Sequence, residues 1–236
     1  RAGSPAAQTR WIERIVTAMA CCDQIVTSSR ALLELVQSWK DCYTSLHTTT
    51  LSHLPHLVIN ELARNPPTRD SQRLRVLWAG AQHHGADLAL LANIVEQTYQ
   101  EFTWVFFGDR PRQLPVFVQY EFQPPVPFEA YTEKLRDLAP DVAVAPLQDT
   151  PFNRYKSPLK LLEYAALGVP VLASNVQAYT QSSAMLMRTE SDWLAALNQL
   201  RSSARRSDAS HHLQNWALRE HGERVQLANW KNTLAL

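Results

Sequence analysis

Residues 149–174, DTPFNRYKSPLKLLEYAALGVPVLAS, contain a loop, a helix start and a buried strand in direct succession. Ser157 is a favourable N-cap residue, and Pro158 suits the first position of a helix. Gly168 is placed to end that helix, and the apolar run at 169–173 predicts a buried strand. The stretch therefore predicts a helix over 158–167 followed at once by a strand, which is typical of α/β proteins.

Two lysines lie where a helix start disfavours positive charge. Lys160 falls in the first turn, and Lys156 lies four residues earlier, where like charges crowd at a cost of roughly 0.2–0.5 kcal/mol. An anion between them would reverse both penalties, and the first-turn N–H groups would bind it as well. We therefore predict a phosphate site over Asn153, Lys156, Ser157 and Lys160, with Glu163 placed to accept hydrogen bonds from a sugar or ribose hydroxyl. The alternative is a solvated helix with a Lys160–Glu163 surface pair, which would contribute little to stability.

The composition is that of an ordinary globular protein. Of the 236 residues, 45% are hydrophobic and 19% charged, and the net charge of +1 gives no general attraction to nucleic acid or to an anionic membrane. Cys21, Cys22 and Cys42 make a poor disulfide framework, which favours a reducing compartment. No apolar run reaches the ~18 residues of a membrane span and no signal peptide is recognisable, so we expect a cytoplasmic protein. Because the chain begins with Arg1 rather than Met, we expect it to be a piece of a longer protein.

Strands alternate with helices over most of the chain. The predicted strands are 74–79, 102–107, 116–122, 141–147 and 169–173, and the predicted helices are 87–100 with Asp87 as N-cap, 127–138, 158–167 and 192–200. The strands are almost continuously apolar, as expected of a parallel sheet buried on both faces. This pattern predicts an α/β fold with a doubly wound, Rossmann-like parallel sheet, whose ligands bind at the carboxyl ends of the strands.

The composition also predicts domain boundaries. The Pro-Pro pair and polar residues of 63–72 predict a linker. Before it, residues 1–62 indicate a helix, a short strand at 23–29, a helix over 30–39 and a strand at 57–60. After it, residues 73–210 form the regular α/β domain, and residues 211–236 predict a closing helix.

Further candidate site residues follow the predicted strands. Gly80, His84, Gly85 and Asp87 come after the first strand of the regular domain, and Gly108 comes after the second. A glycine-containing turn lets backbone approach a ligand, and a helix start there could hold a second face of a phosphate. The alternative for His84 is an ordinary surface position.

The turn at 124–131, PPVPFEAY, contains Val126 and provides rigid backbone that could read the edge of a nucleobase; a plain connector is the alternative. No GxGxxG, HExxH, CxxC or GxSxG motif occurs, nor a DxD pair in a loop. These absences argue against a dehydrogenase-type dinucleotide site, a metal site and the commonest hydrolases.

Residues 141–147, DVAVAPL, and 152–174, FNRYKSPLKLLEYAALGVPVLAS, resemble the donor-site signature of GT-B fold glycosyltransferases, in the glycogen-synthase-like retaining superfamily and its polysaccharide-biosynthesis type. Residues 78–87, WAGAQHHGAD, are similar to the strand and H-x-x-D loop of that subgroup. The resemblance implies that 73–210 is the C-terminal nucleotide-sugar-binding domain. It also implies that 1–62 is a remnant of the N-terminal Rossmann-like acceptor domain with the crossover, to which 211–236 return.

The resemblance further implies retaining, metal-independent transfer of a sugar from a nucleotide diphosphate sugar to a glycan or lipid-linked glycan, without a separate cofactor. Lys156, Lys160 and Glu163 would be the catalytic residues, with the lysines on the diphosphate and Glu163 on the ribose. The other residues implied to contact the donor are Gly80, His84, Asp87, Gly108, Val126, Asn153, Tyr155 and Ser157.

The chain departs from the family pattern in two places. Tyr155 stands where many relatives carry a second glutamate, and the region of His83 and His84 replaces an Arg/Lys pair. Two alternatives stay open: a nucleotide-sugar epimerase of the same fold, and a non-catalytic donor-binding or scaffold domain. The resemblance also suggests that a segment preceding Arg1 associates peripherally with a membrane.

Overall fold

The structure is a computed structural model that describes residues 5–43, 45, 50–53, 73–81 and 84–234. The N-terminal elements are α1 (Pro5–Ala20), β1 (Gln24–Thr27), α2 (Arg30–Cys42) and β2 (Thr50–His53). β1 and β2 pair in parallel. The predicted strand at 57–60 and the predicted linker at 63–72 lie outside the described residues, so the domain division stays a prediction.

Among the described residues, a six-stranded sheet forms the centre of the larger part. Its strands are β3 (Arg75–Ala79), β4 (Thr103–Phe107), β5 (Glu121–Gln123), β6 (Val142–Ala145), β7 (Val171–Ser174) and β8 (Met185–Met187). They lie in the order β5-β4-β3-β6-β7-β8, and every neighbouring pair is parallel. The chain winds outward in both directions from β3 and β6, so the predicted doubly wound, Rossmann-like fold is confirmed.

The helices of this part cover the sheet and lead back to the N-terminal elements. They are α3 (Gly85–Leu88), continued by a 3₁₀ turn (Ala89–Leu91), α4 (Ala92–Thr98), α5 (Phe128–Asp137), α6 (Pro151–Arg154), α7 (Leu159–Ala166), α8 (Glu190–Gln199), α9 (Ser203–His221) and α10 (Glu223–Leu234). The Gln24 side chain donates a hydrogen bond to the carbonyl of Thr233 at 3.0 Å, which joins β1 to α10. Within the described ranges, none of the helices has the length and apolar character needed to cross a bilayer.

Apolar side chains pack on both faces of the sheet, and β3 shows why. All five of its residues are buried; Leu77 packs towards α7 and α9, whereas Val76 packs towards α4 and α8. Successive side chains of a strand point to opposite faces, so a strand between two helical layers is apolar along most of its length. The exception in β3 is its first residue, Arg75, whose guanidinium group pairs with the Glu121 carboxylate at 2.6 Å. Each such large aliphatic side chain contributes roughly 1.5–3 kcal/mol to folding.

The end of α7 agrees with the prediction from Gly168. This residue has a φ of +71°, and its N–H donates to the carbonyl of Ala165 at 3.0 Å, while the N–H of Val169 donates to the carbonyl of Tyr164 at 3.2 Å. The two bonds satisfy carbonyls that the helix leaves open, as in a Schellman motif. The chain therefore turns directly from α7 into β7.

Other predicted boundaries were wrong. The third strand, predicted at 116–122, is only β5, because a turn in which the Val118 N–H bonds to the Pro115 carbonyl keeps the preceding residues out of the sheet. The closing helix predicted at 211–236 begins earlier and divides into α9 and α10 at Gly222, whose extended backbone interrupts the helix. β2 was not predicted, and α6 lies in the loop expected at the beginning of the stretch 149–174.

Candidate functional site

A cleft of about 510 Å³ opens at the carboxyl edge of the sheet. It lies where the ends of β3, β4 and β6 meet the start of α7, beside the reversal of strand order between β3 and β6. Open α/β sheets bind their ligands in such a crevice, since the connections on either side of it turn in opposite directions. The predicted site residues on its wall are Gly80, His84, Gly108, Val126, Lys156, Ser157, Lys160 and Glu163.

Two glycines set the shape of the cleft floor. The Gly80 N–H donates to the carbonyl of Phe107 at 2.9 Å, and the Gly108 N–H donates to the carbonyl of Gln123 at 3.0 Å. Gly108 has a φ of +101°, and a β-carbon there would overlap the carbonyl oxygen of Gly80. Only glycine fits this close approach of two strand ends.

The start of α7 differs from the prediction by one residue. Pro158, rather than Ser157, is the N-cap, and no side chain caps the helix. Ser157 instead lines the cleft, and Lys160 is the second residue of the helix. Free N–H groups in a first turn are suited to an anion, so the backbone feature behind the predicted phosphate site is present although the capping residue was wrong.

Lys160 belongs to a three-membered hydrogen-bonded cluster. Its Nζ lies 2.8 Å from Oε2 of Glu163 and 3.1 Å from the hydroxyl oxygen of Tyr131, and that hydroxyl donates to the same Oε2 at 3.0 Å. Lys160 and Glu163 keep only 27% and 22% of their side-chain surface exposed. The predicted alternative, a Lys160–Glu163 pair, therefore exists, but it lies on the wall of the cleft rather than on an open surface.

The pKa values in this cluster follow from burial and charge. Burial first, and then the charge and hydrogen bond of Glu163, raise the pKa of the Tyr131 phenol above its usual range. Burial lowers the pKa of Lys160, but electrostatic attraction to Tyr164 and Glu163, with the hydrogen bond to Glu163, outweighs it and the net shift is upward. Tyr131 therefore stays a hydrogen-bond donor and Lys160 a cation at ordinary pH.

Lys156 faces the cleft, and among the residues that the structure describes it makes no carboxylate contact of this kind. Its Nζ lies 5.3 Å from the centre of the Phe152 ring, and the ring is itself 75% exposed. Its charge also acts on Asp87, where it contributes to lowering the pKa. Lys156 and Pro158 also line a second cavity of about 850 Å³, whose wall includes Ser29, Arg30 and Asn229 from the N-terminal elements and α10.

Asp87 supports the cleft from behind and does not cap a helix as predicted. It is 6% exposed, and α3 begins before it, at Gly85. Oδ2 lies 2.9 Å from Nδ1 of His84, and Oδ1 accepts a hydrogen bond from the Gln148 N–H at 2.8 Å. Burial raises the pKa of Asp87, but these two hydrogen bonds and the charges of Lys156 and His84 outweigh it, so the pKa is lowered.

Four predicted residues are not on the cleft wall: Gly85, Asp87, Asn153 and Tyr155. Asp87 and Asn153 are buried, and the Asn153 amide donates to the Gln148 carbonyl at 2.9 Å and to Asp87 at 3.4 Å. The carbonyl of Tyr155 accepts a hydrogen bond from the Ser29 hydroxyl at 2.7 Å, outside the cleft.

Sequence reasoning treated Tyr131 only as the end of a proline-rich turn. The structure makes it a central cleft residue: it lies in the first turns of α5, and its ring stacks on Phe107 with 5.4 Å between centroids. Tyr179 also lines the cleft and was not predicted. The feature of the sequence that could have identified Tyr131 is its position directly after a turn at the end of a strand, where ligands of such sheets bind.

The fold and the cleft define a class: a doubly wound α/β domain with a ligand-sized, lysine-containing crevice at its switch point. The sequence matches no protein-family model and no curated protein. Solved structures are similar to it, and they are GT-B glycosyltransferases, so the chain has a GT-B glycosyltransferase fold and the resemblance is confirmed at that level.

Three of these similar structures illustrate the extent of the match. The trehalose-6-phosphate synthase OtsA gives a TM-score of 0.67 at 11% identity, covering 95% of this chain and 62% of that one. A point mutant of S. aureus TarM was solved in complex with fondaparinux, alpha-GlcNAc-glycerol and UDP. It gives a TM-score of 0.67 at 10% identity, and the match covers 95% of this chain and 46% of that one. A UDP-forming trehalose-phosphate synthase from Burkholderia xenovorans gives a TM-score of 0.63 at 15% identity, and the match covers 94% of this chain and 64% of that one. This chain thus spans about half to two thirds of their lengths.

Proposed function

We propose that this chain is the nucleotide-sugar-binding part of a glycosyltransferase that transfers a sugar to a glycan acceptor. The observation that carries the proposal is the cleft itself: Lys156, Lys160 and the uncapped start of α7 meet at the switch point of the sheet. Two ammonium groups and a helix N-terminus suit a diphosphate, because both supply positive charge and N–H donors.

The similar solved structures support the same function. TarM was solved with UDP, and the Burkholderia enzyme is UDP-forming, so a nucleoside diphosphate accompanies this fold in both. In this chain, Glu163 lies one turn after Lys160 on the same cleft wall and would accept hydrogen bonds from a ribose hydroxyl. The apolar and aromatic lining residues, which include Val126, Phe107 and Tyr131, would hold the base.

The chemistry that these groups offer is electrostatic. When the bond between sugar and diphosphate breaks, negative charge grows on the leaving diphosphate, and Lys156, Lys160 and the α7 dipole would stabilise it. The proposal includes transfer with retention and without a metal ion, in the assembly of a polysaccharide by a cytoplasmic enzyme. Cys21, Cys22 and Cys42 are free and exposed, which agrees with a reducing compartment.

Donor binding can be tested directly. A thermal-shift panel of UDP-, GDP-, ADP- and dTDP-sugars identifies the base, because a ligand that binds only the folded chain raises its melting temperature. Calorimetry with the matching nucleoside diphosphate then compares variants. Lys156→Ala and Lys160→Ala should each weaken binding by about 10- to 150-fold, the equivalent of about 1.5–3 kcal/mol for a charge-assisted hydrogen bond.

The matched control is Lys231→Ala, because this lysine is exposed on α10 and outside the cleft. Its variant should bind as the original chain does. Unchanged affinity in both cleft variants would reject the phosphate assignment, and so would a folded chain that binds none of the four nucleotides. For the metal, nucleotide release with a glycan acceptor should continue in EDTA; activity that EDTA abolishes and Mg²⁺ restores would reject metal independence.

A further inference from the structure

The position of Lys160 poses a problem for any anionic ligand. Its ammonium group is already paired with Glu163 at 2.8 Å, so a diphosphate must take it from a carboxylate. Once Lys160 turns to the ligand, the Glu163 carboxylate is left partly buried beside two negatively charged phosphates. An unpaired carboxylate in such a place is costly unless another donor holds it.

Tyr131 supplies that donor from a different element. Its hydroxyl donates to Oε2 of Glu163 at 3.0 Å and accepts from Lys160 at 3.1 Å, so it contacts both members of the pair. The ring is stacked on Phe107, with an interplanar angle of 17°, at the carboxyl end of β4. The hydroxyl is therefore held in place by the sheet and does not depend on the conformation of α7.

We propose that Tyr131 is a positioning residue that keeps Glu163 hydrogen-bonded while Lys160 moves from this carboxylate to a diphosphate. The inference rests on the proposed function and extends it to a residue that the family signature does not include. A tyrosine hydroxyl has one donor and two acceptor sites, so it can keep its bond to Glu163 whether or not Lys160 donates to it. Without the hydroxyl, Glu163 loses a donor and holds Lys160 more strongly, which opposes release of the lysine to the ligand.

The probe for this coupling is inorganic pyrophosphate, which carries the anionic charge without a ribose or a base. Tyr131→Phe keeps the stacking on Phe107 and removes only the hydroxyl. We expect it to weaken pyrophosphate binding about fivefold, because the bond to the Glu163 carboxylate also exists in the free chain and only its strengthening on departure of Lys160 is lost. Glu163→Gln removes the competing charge, and in that background Tyr131→Phe should have no further effect.

Calorimetry of the original chain, the two single variants and the double variant completes the cycle. Tyr99→Phe is the matched control, because this phenol also lies in a hydrogen bond but outside the cleft. The melting temperature of each variant checks that it is folded. A loss that disappears with Glu163→Gln supports positioning through the carboxylate, since a change in cleft shape would persist in both backgrounds.

Two outcomes would overturn the inference alone: normal pyrophosphate binding by Tyr131→Phe, or the same fivefold loss with and without the Glu163 charge. Both leave the proposed function standing, because the original chain still binds the anion. A chain that binds neither pyrophosphate nor any nucleoside diphosphate would refute the proposed function, and the inference with it.

Discussion

Oδ1 of Asp87 accepts a hydrogen bond from the backbone N–H of Gln148 at 2.8 Å. The bond joins the segment after β3 to the segment after β6, the two strands between which the sheet reverses its order. The Asn153 amide adds to it by donating to Asp87 and to the Gln148 carbonyl. One buried carboxylate thus holds together the two segments that border the cleft.

Removing this carboxylate should destabilise the protein. In Asp87→Ala the Gln148 N–H and the Asn153 amide lose an acceptor, and we expect the free energy of unfolding to fall by about 2 kcal/mol. Urea unfolding followed by circular dichroism measures the change. Asp149→Ala is the control, because the Asp149–Arg154 pair is exposed and its loss should have a much smaller effect. Equal losses in the two variants would contradict the role given to Asp87.

The stabilisation by Asp87 should also depend on pH. Its pKa is lowered in the folded state, so its contribution is fully present above the unfolded value, near 3.9, and is lost as the pH falls through the lower folded value. The difference in unfolding free energy between the original chain and Asp87→Ala should therefore narrow as the pH falls below about pH 4. Urea titrations at several pH values test this, and a difference that widens in acid would show the opposite shift.

A methyl group at Gly108 should disturb the cleft floor. Gly108 has a φ of +101°, and its β-carbon would overlap the Gly80 carbonyl oxygen. We expect Gly108→Ala to lower the free energy of unfolding by about 2 kcal/mol or more, because strain and overlap add. Gly85→Ala is the matched control: a β-carbon there meets no atom within 4 Å, and the variant should be unchanged or more stable by about 0.4–1 kcal/mol. Similar losses at both positions would refute the explanation.

The Tyr164 hydroxyl links α7 to the end of β3. It accepts a hydrogen bond from the buried Ala79 N–H at 3.0 Å, and its ring is fully buried. Tyr164→Phe leaves that N–H without a partner, so we expect a loss of about 1–2 kcal/mol in chemical denaturation. In Tyr99→Phe the lost bond is exposed, and the stability should change by less. A Tyr164→Phe variant as stable as the original chain would mean that water replaces the hydroxyl.

Local rules explain which parts of the fold could be predicted. The apolar runs that became β3, β4, β6 and β7 are buried on both faces, so periodicity and composition found them. Gly168 ended α7 as predicted, since a left-handed residue after a helix favours glycine. The edge strand β5 was predicted too long, because a strand with one neighbour is not defined by burial alone and Pro115 begins a turn.

The candidate site also contains residues that local sequence rules could identify and others that they could not. Gly80, Gly108, Lys156, Ser157 and Lys160 follow strands or begin a helix, and the parallel sheet brings such positions to one edge. Asp87 looked like a helix cap, although its partner Gln148 lies 61 residues away along the chain. Nothing local to a sequence reports a hydrogen bond at that separation.

The sequence by itself determined the alternation of strands and helices, the glycine turns at the strand ends and the two lysines at a helix start, because these depend on local backbone preferences and charge. Only the tertiary structure decided that Tyr131 joins Lys160 and Glu163, since α5 and α7 meet through the packing of both helices beside the sheet. Which side chains of different helices and strands contact each other depends on tertiary packing, and local sequence patterns do not determine it.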